Sequence, residues 1–182
     1  MTQALYFVLK TLTQLYLLLL ILRFWLPLFR ADFRNPVAQG VLRLTSPLVV
    51  PLRRFIPPIG RIDTSTVLVA FAIEYALILV LLLLTGRSAG IVPIGLTALI
   101  ELAILSLNMF FFVVLIKIIL SWVAPQNYNP VTAMLTTLSE PVLRPFRRLV
   151  PPIGGLDISP IFAIVLLQAG VIILQNYKPL PV

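Results

Sequence analysis

Two short constellations hold most of the chemistry this sequence offers: Arg53 and Arg54 followed ten residues on by Asp63, and Arg147 and Arg148 followed by Asp157. A guanidinium is a planar fork of donors that matches the oxygens of a phosphate or carboxylate two at a time. Arginines set between apolar residues lay their stems on hydrocarbon and lift their heads to lipid phosphates. Two uses fit this pattern: a topology signal with general headgroup contact, or a specific docking site for an acidic lipid or a protein. Neither is catalytic. Asp63 and Asp157 lie within reach of these arginines, and the spacing favours a local ion pair that fixes the loop over an acid that handles protons.

A second set lies inside apolar runs: Arg23, Glu74, Lys117 and Gln168. Ionisable groups are costly in hydrocarbon, so each invites a functional reading. Arg23 and Lys117 sit close to the ends of their runs and can snorkel to water. Glu74 lies about seven residues into its run, roughly 10 Å at the helical rise. It needs a partner or a proton. Arg23 or Lys117 reaching toward it would pin neighbouring helices; a charge relay or ion pathway is the other use. Glu101 reads as a residue near the outer surface, or as one that shares a helix face with Asn108 toward another subunit. Gln14, Asn108 and Gln168 read as interhelical hydrogen-bonders.

Most enzyme classes are excluded. The 182 residues include no Cys and no His, which removes thiol nucleophiles, disulfides, Cys/His zinc sites, haem ligation by either residue and the commonest general base. Glycine-rich phosphate loops, HExxH and GxSxG are absent. No catalytic, cofactor-binding or metal-binding residue is therefore assigned, and no enzyme activity is expected.

The elements that must position these residues are membrane helices. With 60% hydrophobic residues, 11% charged and a mean hydropathy of +1.07, the chain has too little polar surface to cover a water-soluble globule. Four apolar stretches approach the length that crosses roughly 30 Å of hydrocarbon: about Ala4 to Leu28, Val67 to Thr85, Ile91 to Trp122 and Pro160 to Leu174. The first reads as a retained helix with Phe24 and Trp25 at the interface. The consecutive Phe110, Phe111 and Phe112 spread around the third and read as packing. The net charge of +8 reflects topology better than nucleic-acid binding. Arg30, Arg34, Arg43, Arg53, Arg54 and Arg61 fill the first long loop and Arg144, Arg147 and Arg148 the second, against Arg87 and Lys178 on the other face. Nine against two puts both long loops in the cytoplasm and both termini outside.

A shift of 94 residues lays one loop on the other, with 14 identities in the 31 positions from Asn35 to Ser65. The same shift carries Gln14 onto Asn108, Arg23 onto Lys117 and Glu74 onto Gln168. The chain thus reads as an all-α membrane protein of two parallel tandem repeats, 1–90 and 91–182, in a single membrane domain. Each loop opens with Asn-Pro, a helix start. Val37, Val41, Leu44 and Leu48, repeated as Val131, Leu135, Leu138 and Val142, predict an amphipathic helix lying at the membrane surface. Pro47 and Pro51, with Pro141 and Pro145, should kink or stop it. Pro57-Pro58 and Pro151-Pro152 should then form stiff extended turns. Ser159-Pro160 reads as a cap and first helical residue, and Ser65-Thr66 as a cap alone.

The repeated Asn-Pro, the run Glu140-Pro141-Val142-Leu143-Arg144-Pro145-Phe146-Arg147-Arg148, and Pro151-Pro152-Ile153-Gly154-Gly155-Leu156-Asp157-Ile158-Ser159-Pro160 resemble the YggT family of small membrane proteins, also called YlmG-like. The first copy departs from this pattern: Ser46 replaces the Glu, Arg61 the second Gly and Thr66 the final Pro. The resemblance implies bacterial division or envelope organisation, osmotic-stress tolerance and, in photosynthetic relatives, cytochrome b6 cofactor assembly and nucleoid distribution. No cofactor is expected, since no His or Cys is present to hold iron. The expectation is a non-enzymatic inner-membrane protein that organises or helps assemble an envelope, division or membrane-protein complex through its basic loops. Its partners would be anionic headgroups and a membrane protein or another copy of itself, with no direct nucleic-acid binding. The alternative is an oligomeric channel or transporter for ions or small osmolytes, with Glu74, Lys117 and Gln168 on a wet path.

Overall fold

The computed structural model describes residues 2–123, 129–149 and 157–181; six helices form, and among those residues there is no strand. Four helices are long and apolar enough to cross a membrane: α1 (Thr2–Leu28), α3 (Thr64–Leu84), α4 (Ile91–Val123) and α6 (Ser159–Asn176). Their ends agree with the hydropathy reading to within three residues. Between them lie two amphipathic helices, α2 (Pro36–Arg53) and α5 (Pro130–Leu149), each forming an elbow that leads from one long helix to the next.

Local chemistry explains the ends. α1 closes in a left-handed turn in which Ala31 N donates to Leu26 O at 2.9 Å and Arg30 N to Pro27 O at 3.2 Å. Arg30 holds φ +54° where this motif normally uses Gly; Gly86 takes the same place after α3, at φ +65°. Asn35 and Asn129 start the elbow helices. Their side chains accept from Val37 N at 2.8 Å and Val131 N at 2.9 Å, and the following proline sacrifices no needed donor.

Two details of the elbows are corrected, the stop at the prolines and the serine caps, and the make-up of the amphipathic faces is refined. α2 runs through Pro47 and Pro51, and α5 through Pro141 and Pro145, without stopping. The two prolines of each helix lie four residues apart on an exposed face, where the carbonyls they release need not be sealed among packed side chains. The buried faces are Ala38, Val41, Thr45 and Val49 in α2, and Met134, Leu138, Ser139 and Leu143 in α5, whereas Leu44, Leu48 and Val131 are exposed. In α2 small residues and a hydroxyl face inward because Arg23 enters there, whereas α5 turns larger apolar residues inward. Nor does Ser65 or Ser159 cap its helix. Asp63 caps α3, and Asp157 accepts from Ser159 N at 3.0 Å, so α6 begins one residue early.

Within each half the long helices pair, α1 with α3 and α4 with α6, and each elbow helix rests on both members of its pair. Contacts of α1 with α4, α3 with α4 and α2 with α5 join the halves. The main core forms at that joint from Ile21, Leu26, Ala38, Val41, Phe110, Val113, Met134 and Leu138. Trp25, near the end of α1, packs here, its ring 5.0 Å from that of Phe110 and 5.1 Å from Phe29. Outward faces of the long helices carry Phe7, Leu83, Ile91, Phe112 and Ile161, surface that hydrocarbon covers better than water.

Candidate functional site

The first elbow is built around a buried charge. Arg23, from the last turns of α1, reaches into α2, where its Nη1 donates to Thr45 Oγ1 at 2.8 Å, Ser46 Oγ at 3.2 Å and the Leu42 carbonyl at 3.3 Å. Its Nε lies 3.6 Å from Asp63 Oδ2, close enough to attract but without a hydrogen bond. Asp63 accepts from Thr66 Oγ1 at 2.7 Å and Thr66 N at 3.4 Å, which caps α3, and Arg53 grips both of its oxygens. Burial pushes the Asp63 carboxyl up, but hydrogen bonds from Arg53 and Thr66 outweigh it and hold the group below the usual carboxylate range. Behind it, the turn pivots on Gly60 at φ +61°, Ile59 and Ile62 bridge across it, and Ser65 Oγ donates to the Ile56 carbonyl at 2.6 Å. One carboxylate thus ties the ends of α1, α2 and α3 together.

The second elbow places the same functions at positions 94 residues on, with a different outcome. Arg147 donates from Nη1 to Glu140 at 2.9 and 3.0 Å and from Nε to Asp157 at 2.8 Å; Lys117 Nζ stands 3.7 Å from Glu140. The chain of alternating charges is half-exposed: the Asp157 side chain is 41% exposed, against 4% for Asp63. Burial raises Asp157 only to be outweighed by hydrogen bonds from Ser159 and Arg147, so it too lies below its ordinary range. Pro151-Pro152 and the residues to Leu156 lie outside the described residues, and so does any comparison of the two turns.

The adjacent arginines therefore separate. Arg53 and Arg147 are turned onto Asp63 and Asp157, the local ion pairs that the spacing favoured, and not toward lipid phosphates. Arg54 and Arg148 are exposed and have no polar partner among the described residues. Arg43, Arg61 and Arg144 are exposed too. The elbows also meet: Asn35 Nδ2 donates to the Pro130 carbonyl at 2.6 Å on the lip of a cleft of about 470 Å³ lined by Arg34, Asn129 and Thr137 among others. Both elbows, with their exposed arginines, thus lie at one end of the bundle.

The intramembrane candidates are not brought together. Arg23 pairs with Asp63 and Lys117 with Glu140, so neither reaches Glu74 as expected. Glu101, read as a surface or subunit-facing residue, is an internal partner of Lys178 at 2.8 Å. No hydrogen bond joins Gln14, Asn108 or Gln168 to a neighbour among the described residues. Sequence reasoning missed Thr45, Ser46 and Glu140 as partners. The signal was available, because the shift that exchanges Arg23 for Lys117 also exchanges Ser46 for Glu140, a coupled change of cation and acceptor.

A family model described as CCB3/YggT matches the chain in two segments, residues 2–84 and 96–177. An uncharacterised protein of Pseudomonas aeruginosa is 45% identical over 169 residues, covering 92% of this chain and 85% of that protein. YggT of Escherichia coli K12, also uncharacterised, is 39% identical over 161 residues, 88% of this chain and 84% of that one. The chloroplastic YlmG homolog protein 2 of Arabidopsis thaliana is 39% identical over 66 residues, 35% of this chain and 25% of that one. No solved structure matches the chain.

Proposed function

Because the chain belongs to the CCB3/YggT family, we propose that it is a non-enzymatic multi-pass protein of the bacterial inner membrane. In this reading its two elbows form a cytoplasmic platform that organises or helps assemble a membrane-protein complex against anionic headgroups. The observation that carries the reading is the division of labour within each arginine pair: Arg53 and Arg147 brace their elbows, while Arg54 and Arg148 are left to bind phosphate or carboxylate groups from outside. The charge count favours cytoplasmic elbows. Two parallel copies are supported by the 94-residue shift, which also separates the starts of the two segments matched by the family model, at residues 2 and 96.

The test is to compare two double variants extracted in mild detergent. Arg54→Gln with Arg148→Gln should lose co-purified acidic lipid and crosslinked partner while keeping wild-type thermal stability. Arg53→Gln with Arg147→Gln should lower stability. Unchanged lipid and partner recovery in the first variant, correctly inserted, would remove the platform reading.

A further inference from the structure

Glu74 is the acid that the elbow account does not use. It stands ten residues beyond the first residue of α3, about 15 Å along the helix axis, half of a roughly 30 Å hydrocarbon core. The residue is 4% exposed, with Ala70, Leu77 and Ile78 buried beside it on the same helix. No hydrogen bond or ion pair reaches it among the described residues. The charged groups that act on it are Lys10 of α1, Glu101 of α4 and Lys178 beyond α6. Lys178 and Glu101 stand 2.8 Å apart and neutralise one another, and Lys10 lies over the Tyr6 ring at 6.0 Å. Asp63 and its two arginines are about three helical turns away, at the cap of α3 eleven residues earlier.

A lone carboxylate in such a place is costly, and a buried acid without a partner resolves that cost by holding a proton. A metal cation is a poorer solution. Hard cations take six or more oxygen ligands, and the other carboxylate that acts on Glu74, Glu101, already faces Lys178. We propose that Glu74 is a proton-binding site: at neutral pH it is a neutral carboxylic acid at half depth in the bundle, whereas Glu101, Glu140, Asp63 and Asp157 each face a cationic side chain. The chain thus carries one protonated acid in its membrane domain, separate from the elbows and in the first half alone, since the equivalent position in the second half is Gln168, which cannot titrate.

Two measurements on the full chain in lipid nanodiscs test this. Infrared spectra at neutral pH should show a protonated-carboxyl C=O band that shifts on labelling with 13C-glutamate and is absent from Glu74→Gln; the isotope shift confines the band to Glu74, Glu101 and Glu140, and its persistence in Glu101→Gln and Glu140→Gln places it on Glu74 even if the Glu74 variant fails to insert. Dicyclohexylcarbodiimide, which attacks protonated carboxyls in apolar surroundings, should modify Glu74 in the wild-type chain and leave Glu101 untouched. The infrared band decides: its absence from the glutamate-labelled wild-type chain overturns the proposal whatever the reagent does. Protection of Glu74 from the reagent by added sodium or potassium would overturn it in favour of a cation site.

Discussion

The two elbows share their Asn-Pro starts, their prolines, their arginine pairs and their aspartates, yet one is a buried device and the other a surface one. In the first, a single carboxylate, Asp63, serves two guanidiniums, and the hydroxyls of Thr45 and Ser46 take up donors it cannot reach. That network sums to one positive charge, Arg23 and Arg53 against Asp63. In the second, Glu140 stands where Ser46 did and Lys117 where Arg23 did; Lys117 and Arg147 against Glu140 and Asp157 sum to zero. Burial favours the forked, weakly hydrated guanidinium, which can be satisfied by several hydroxyl and carbonyl acceptors at once; an ammonium with a nearby carboxylate suffices where water helps. The lesson is that one fold can hold its corners either by a keystone whose every partner matters or by a redundant chain in which partners substitute for one another.

The largest effect should follow from removing the keystone. Asp63→Ala leaves Arg23 buried beside no counter-charge and deletes the α3 cap, so unfolding in detergent should show a loss of about 3–5 kcal/mol. A loss below that of a surface pair would break the comparison. Converting the first elbow toward the second should sharpen it: Ser46→Glu added to Asp63→Ala supplies a new carboxylate to Arg23, and should recover about 1–3 kcal/mol in a double-mutant cycle. Asp157→Ala should cost only about 1 kcal/mol, since Glu140 continues to hold Arg147 and the pair is screened by water. The smallest effect is a gain. Arg30→Gly relieves a left-handed backbone that a side chain disfavours, and should stabilise by about 0.5–1 kcal/mol after the extra freedom of glycine in the unfolded chain is subtracted.

Acid should separate the elbows too. Asp63 is held below its ordinary value, so the stability it contributes is complete above the unfolded carboxyl pKa of about 4 and is lost as pH falls through the folded value. Asp157 is depressed in the same direction but is open to water, and it should contribute less. In Asp63→Asn the acid-induced loss should shrink markedly, a difference that unfolding curves at pH 7 and pH 3 would register.

Much of this architecture was legible in the letters. Four apolar runs of sufficient length give four long helices because backbone in hydrocarbon must satisfy its own hydrogen bonds. The Asn-Pro pairs mark the starts of α2 and α5 because both residues suit a helix N-terminus and few other places. What periodicity could not reveal was which face of α2 turns inward. Thr45 and Ser46 look like surface residues until Arg23, 22 residues earlier, is folded against them. Whether the prolines would stop the helices was open for a related reason: the penalty depends on whether the released carbonyl faces a packed surface or an open one. The separation of Arg53 from Arg54 was equally hidden, since only the elbow's fold-back puts one of them on Asp63.

Everything assigned to the elbows requires that both face the same aqueous compartment, the cytoplasm. The chain contains no cysteine, so a single introduced one reports alone. Intact spheroplasts carrying Arg61→Cys or Arg144→Cys should resist a membrane-impermeant maleimide and react only after lysis, while Arg87→Cys, on the opposite face, should react at once. Labelling of one elbow from outside and protection of the other would contradict the account.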